Sequence, residues 1–246
     1  MSIQLKKYWR LSGISLAAPA LLAMALVTPA RVSAEEDTPE MRLANATEAF
    51  REIMQTPDKG VPRDLLDKAE CAVIIPGMKK GAFIVGVKYG RGFVTCRKGA
   101  DRWGPPAGVK IEGGSAGFQI GGSSTDVFML IMNQDGMKKL LSDKFTLGAD
   151  ASVAAGPVGR SANASTDAQL HAEILAWSRS RGLFAGVSLE GATLRPDTED
   201  NEKLYGRKVS NEEILRGDVA MPSAARPLIA ALNEYSGPAK SAARDQ

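Results

Sequence analysis

The sequence predicts an α+β fold: a strongly curved antiparallel β-barrel-like or two-sheet core with N-terminal and C-terminal helices. Three observations point to it. An amphipathic helical stretch comes first, and from Cys71 the texture changes to short runs of valine, isoleucine and phenylalanine. Most of the 25 glycines punctuate or interrupt those runs. Glycine weakens a flat strand but suits a sheet that bends sharply or admits another backbone closely.

The helical stretch covers 35–55, where Leu43, Ala46, Phe50, Ile53 and Met54 share one face at helical spacing. Thr38 before Pro39 reads as a cap followed by a first-turn proline. A second short helix is expected over 62–70. Strands are expected at 71–76, 82–89, 92–98, 107–112, 116–121 and 125–132, joined by connections of a few residues, which implies antiparallel pairing. Gly90-Arg91 reads as a hairpin tip and 98–102 as a second turn. A helix over 134–142 is followed by strand-like alternation over 145–155 and 183–193. Segment 170–179 fits either period, with strand preferred. The polar tail from Pro196 contains helical pieces at 211–216 and 222–235.

The 246 residues carry a formal charge of +3, but Lys6, Lys7, Arg10 and Arg31 all lie in the first 34 residues, where no acid occurs. That segment has a basic start, an apolar middle over 11–27 and a small-residue site at Val32-Ser33-Ala34, the order of a signal peptide. Cleavage near Ala34 turns +3 into −1 and leaves a periplasmic or secreted protein. Its apolar run is short and interrupted for a membrane span. Net-basic nucleic-acid binding is therefore disfavoured. Four segments are expected: the signal peptide at 1–34, a helical segment at 35–62, a β-rich domain at 63–217, and a helix and tail at 218–246.

Cys71 and Cys96 would meet an oxidising compartment after export, and a bridge between them would close a loop worth roughly 3 kcal/mol by chain entropy. Two small buried hydrophobes on separate strands fit equally well. With a single histidine, His171, and no Cys-x-x-Cys, no metal and no cofactor are expected.

One segment resembles a catalytic motif. Gly113-Gly114-Ser115-Ala116-Gly117 satisfies the Gly-x-Ser-x-Gly pattern, with acids from Asp126 to Asp167 and then His171 following in hydrolase order. The pattern needs a strand, the serine and then a helix, whereas Phe118-Gln119-Ile120 and more glycine follow here. A serine hydrolase using Ser115 is a secondary alternative, and the main expectation is a non-enzyme.

Charge distribution is more informative. Eight cations lie between Cys71 and Lys110 against the single acid Asp101, while 35–56 carries six acids against Arg42 and Arg51. Tyr89, Phe93 and Trp103 are interleaved with the cations. Basic and aromatic residues on hairpin tips suit a lipid headgroup region, where rings insert shallowly and each cation near an anionic surface gains about 1 kcal/mol. The candidate lipid-binding residues are Lys79, Lys80, Lys88, Arg91, Arg97 and Lys98 for attraction, with Tyr89, Phe93 and Trp103 for insertion.

With these segments in view, the chain resembles the SYLF-domain family over 65–217. The resemblance is carried by Gly81-Ala82-Phe83, Tyr89-Gly90-Arg91-Gly92, Trp103-Gly104-Pro105-Pro106 and Ser115-Ala116-Gly117-Phe118-Gln119-Ile120-Gly121. It continues through Asp126-Val127, Leu147-Gly148-Ala149-Asp150, Gly156-Pro157-Val158-Gly159-Arg160 and the run from Ser180 to Gly191. It implies a non-enzymatic phospholipid-binding domain on a β-rich barrel-like core, with phosphoinositide binding and actin association in eukaryotic members. Two departures matter. Cys71 and Cys96 stand where the family pattern looks aliphatic, and the N-terminal helix, which some relatives insert into membranes, is acidic here and would be repelled by anionic lipid. The expected function is attachment to anionic phospholipid surfaces through a basic, aromatic-flanked patch, with an envelope protein–protein interaction module as the alternative.

Overall fold

In the computed structural model, helix α1 (Pro39–Gln55) begins as its sequence dictates: Thr38 caps it by accepting from the Met41 amide at 3.3 Å, and Pro39 occupies the first turn. The structure describes residues 37–56, 60–82, 85–99, 102–116, 121–158, 171–180 and 183–237. The leader and its cleavage site, the segment 117–120 and the acid Asp167 lie outside the described residues. Within the described residues, no helix is long and apolar enough to cross a membrane.

After α1 come a short helix α2 (Arg63–Lys68) and five strands: β1 (Cys71–Ala82), β2 (Val85–Lys98), β3 (Arg102–Trp103), β4 (Ala107–Ala116) and β5 (Gly121–Ile131). Helix α3 (Gln134–Leu140) leads to β6 (Phe145–Thr146), β7 (Val153–Ala155), β8 (Ile174–Ser180), β9 (Leu183–Gly186) and β10 (Thr193–Pro196). The chain ends with α4 (Thr198–Tyr205), α5 (Asn211–Arg216), a 3₁₀ turn and α6 (Arg226–Tyr235).

The strands form a strongly curled half-barrel in the order β6-β10-β4-β2-β1-β5-β8-β7, with β3 also on β2 and β9 also on β8. Its two faces bury different sets of side chains. One face gathers Cys71, Val73, Ile75, Val94, Val109, Val127 and Leu194 from five adjacent strands into one cluster. The other face packs Ile74, Phe93, Phe128 and Trp177 against Leu43, Phe50 and Ile53 of α1 and Leu228 and Leu232 of α6. Phe50 meets Phe128 and Tyr235 at 5.6 and 5.9 Å between ring centroids, tying both termini to the sheet.

Cys71 and Cys96 are bridged. They face each other in the β1–β2 register with Cα atoms 4.0 Å apart, and both are buried.

Several local expectations change. Gly90-Arg91 is not a hairpin tip; both residues lie inside the unbroken strand β2. Gly92 is there because a β-carbon would collide with the Ile74 backbone, and one on Gly90 would press on Ile75 and Met78. The actual hairpin joins Ala82 to Val85. Segment 145–155 breaks into two strands around a turn in which the Asp150 carboxylate accepts from the Thr146 amide at 2.6 Å. Segment 183–193 likewise divides, with Gly191 at φ 76° between β9 and β10. β7 pairs with β8 in parallel, against the otherwise antiparallel pattern. β2 and β3, on either side of the turn expected at 98–102, pair antiparallel, and residues 100–101 lie outside the described residues.

Candidate functional site

The nine candidate residues separate along strand β2. Lys88 and Arg97 lie about 30 Å apart at 3.3 Å of rise per residue. They belong to opposite ends of the sheet, which can be called the tip, where β1 turns into β2, and the base, where the disulfide sits.

At the base, the expected patch is spent on structure. Arg97 donates to the Leu66 and Ala69 carbonyls at 3.0 and 3.1 Å, and its guanidinium stacks over the Trp103 ring at 4.6 Å. Lys98 donates to the Gly217 carbonyl. Trp103 is 2% exposed, and its indole N–H donates to Ser236 Oγ at 2.9 Å. Phe93 is 1% exposed in the core beneath α1. The expectation of shallow insertion therefore fails for Phe93 and Trp103, whose rings are already covered by protein. Arg91 also departs from its expected role, since Asp197 and Asp200 accept from it at 2.6 and 2.7 Å and Glu199 stands at 3.9 Å. Hydrogen bonding to Asp197 raises the Arg91 pKa further still.

At the tip, four candidates come together. Lys79 is opposite Tyr89 and Lys80 opposite Lys88 in consecutive registers of the hairpin. Strand alternation puts Lys79 and Tyr89 on the α1 face. It puts Lys80 and Lys88 on the face away from α1, in line with Met78 and Gly90. No carboxylate among the described residues pairs with these three lysines. Burial first, and then the neighbouring charge of Lys88, push the Lys80 ammonium below the ordinary lysine range. Val87, Tyr89 and Leu183 are the exposed large hydrophobics among the described residues. All three lie at this end, Leu183 at the start of the β9 arm of its hairpin.

Beside the tip, a cleft of about 530 Å³ opens between α1 and the sheet. Arg42, Asn45 and Glu48, spaced three residues apart, and Ala49, four residues after Asn45, form its roof on one helix face. Its outer floor is the row Tyr89, Lys79, Ser124 across β2, β1 and β5. One step deeper lie Arg91, the Pro76-Gly77 bulge, Asp126 and Arg179. Gly77 adopts φ 59°, which suits glycine, and its amide donates to Asp126 Oδ1 at 2.8 Å.

The guanidinium groups here are all paired. Arg42, 3% exposed, bonds Asp200 and also Asp37 at 2.8 Å. Arg179 donates twice to Asp126 Oδ2, at 3.0 and 2.6 Å, and pairs with Glu52. Burial, and secondly Glu48, raise the Asp126 pKa. Burial and Asp197 raise that of Asp200, whereas at Asp197 burial, the largest single effect, is outweighed by the hydrogen bond and charge of Arg91 together with the Asp200 amide and Lys110, and the carboxyl is held low. The sequence reading did not find this cleft. One signal was present: Arg42 lies next to Leu43 and one turn before Ala46, an ionisable residue on the helix's apolar side.

Ser115 lies within β4, paired to Gly86, and the chain continues to strand β5. The strand-to-helix elbow that a serine nucleophile needs is absent from the described residues on either side of it. His171 is exposed in a turn, and Asp126 is committed to Arg179 and Gly77.

Residues 112–235 match the family described as "Ysc84: Las17-binding protein actin regulator". The chain is 33% identical over 199 residues to SH3 domain-containing YSC84-like protein 1 of Rattus norvegicus, covering 79% of this chain and 58% of that one. The human protein of the same name gives the same figures. LAS seventeen-binding protein 3 of Saccharomyces cerevisiae is 36% identical over 178 residues, 71% of this chain and 39% of its own length. The match thus spans between about two-fifths and three-fifths of these longer relatives, and on these grounds the chain belongs to the Ysc84 family of SYLF-domain proteins.

Proposed function

We propose that this is an exported, non-enzymatic protein that attaches to anionic phospholipid surfaces through the tip of its β1–β2 hairpin. The observation that carries the reading is the placement of Lys80 directly opposite Lys88, with Lys79 one register away and no carboxylate partner among the described residues. Like charges directly opposite each other destabilise a sheet, so an arrangement of this kind gains from an external anion. Exposed Val87 and Tyr89 alternate with the lysines and supply shallow apolar contact. The apolar face of α1 is packed on the sheet, so the hairpin takes the role that an inserting helix has in some relatives. Export is supported by the order of the leader, and the Cys71–Cys96 bridge is of a kind that persists in oxidising compartments.

Three lysines at about 1 kcal/mol each amount to roughly a hundredfold in affinity. Lys79→Glu with Lys80→Glu and Lys88→Glu should remove that binding in sedimentation with phosphatidylglycerol vesicles, and phosphatidylcholine vesicles should not bind the native protein. Unchanged sedimentation of the triple variant sinks the assignment.

A second reading, a protein-interaction module, draws on the relatives' names, which describe Las17 binding, and on the exposure of Val87, Tyr89 and Leu183. Saturable binding to one protein, indifferent to vesicle charge, favours it.

A further inference from the structure

The cleft under α1 is bipolar. Its three guanidinium groups are engaged by carboxylates, so the charged groups left without an ion pair among the described residues are Lys79 at the lip and Glu48 on the roof. Arg179 is shared between Asp126, which lines the cleft, and Glu52, which does not, and Glu48 on the roof is a second carboxylate of the lining. The inner part of the cleft is therefore negative, while the lip, formed by Lys79, is positive. Asp126 has one acceptor direction to spare, since its oxygens take one hydrogen bond from the Gly77 amide and two from Arg179, of the four lone-pair directions a carboxylate offers. The half-exposed Tyr89 ring stands next to Lys79 on the floor.

We infer that this cleft binds a phospho-ammonium group, a phosphate ester carrying a primary amine on a short spacer, with phosphate on Lys79 and ammonium between Glu48 and Asp126. A bare anion would meet the inner carboxylates, and a bare cation would meet Lys79. A ligand joining both charges satisfies both ends. The acceptors are carboxylates rather than a cage of aromatic rings, which selects N–H donors over a quaternary ammonium. The inference rests on the membrane reading only for the source of the ligand, a lipid headgroup or a free ester.

The test is calorimetric titration of the purified protein with O-phosphoethanolamine, phosphocholine and inorganic phosphate. Phosphoethanolamine should bind up to about fivefold more tightly than the other two, the upper worth of one exposed ion pair. Glu48→Gln, at an exposed position on α1, should bring it down to the level of phosphate, and Lys79→Ala should weaken all three. Equal affinities in the native protein, or phosphoethanolamine binding that ignores Glu48→Gln, overturn the inference. Phosphatidylglycerol vesicles doped with phosphatidylethanolamine or with phosphatidylcholine identify the source. A preference for the former that Glu48→Gln abolishes means the lipid headgroup, whereas soluble binding without that preference means the free ester. Loss of binding to phosphatidylglycerol alone would count against the lysine tip and leave the ranking of soluble ligands intact.

Discussion

The two ends of strand β2 carry similar side chains put to opposite uses. At the base, Arg97, Lys98 and Trp103 are consumed by backbone carbonyls, a stacked ring pair and a serine hydroxyl. At the tip, Lys79, Lys80, Lys88 and Tyr89 meet no such partners among the described residues, and two of the lysines crowd each other. A count of cations along the chain treats both ends alike. What separates them is whether donors are already satisfied, and that decides which end is free to bind something else.

The comparison can be broken most severely at the base. Trp103→Ala should cost about 3–5 kcal/mol of stability, as for a buried large aromatic, measured by urea denaturation. The variant that remains folded should keep its affinity for anionic vesicles. Reduction of Cys71–Cys96 should lower the denaturation midpoint by an amount equivalent to roughly 3 kcal/mol, again without moving vesicle affinity in the folded protein.

A smaller effect sharpens the role of Arg91 as a structural residue. The Asp197 carboxyl is held below its unfolded value, so its contribution is present above the ordinary aspartate range and is lost as pH falls through the lowered folded value. Asp197→Asn should destabilise the protein by about 1.5–3 kcal/mol near neutrality, the worth of hydrogen bonds to a charged group. The gap from the native protein should close on acidification, as read by denaturation at a series of pH values. The smallest effect belongs to the tip, where Lys88→Gln relieves the opposition to Lys80 and should stabilise the fold by about 0.2–1 kcal/mol while weakening vesicle binding. A tip lysine that lowered stability when removed would place the tip with the base.

How much of this was legible in the sequence varies with the range of the interactions involved. Helix α1 follows from its periodicity, Thr38 and Pro39, all local features, and the β-rich curved core follows from the glycine-broken apolar runs. The misreading of Gly90-Arg91 arose because glycine marks both turns and close packing across a sheet, and only the neighbouring strand tells them apart. Phe93 and Trp103 read as hairpin rings because burial depends on helices contributed from elsewhere, Trp103 meeting Asn233 and Ser236 some 130 residues away. Arg91 finds its acids 106 and 109 residues downstream, beyond any local charge pattern. The cleft is assembled from α1, β1, β2, β5 and β8, so no single segment displays it.

The most direct test compares the salt dependence of binding to phosphatidylglycerol vesicles for the native protein, for Lys79→Glu/Lys80→Glu/Lys88→Glu at the tip, and for Lys98→Gln at the base. Affinity of the native protein should fall steeply with ionic strength, the tip variant should bind weakly with a nearly flat dependence, and the base variant should track the native protein. A tip variant that keeps the native salt slope, or a base variant that loses it, would contradict the assignment of the free cations to the tip.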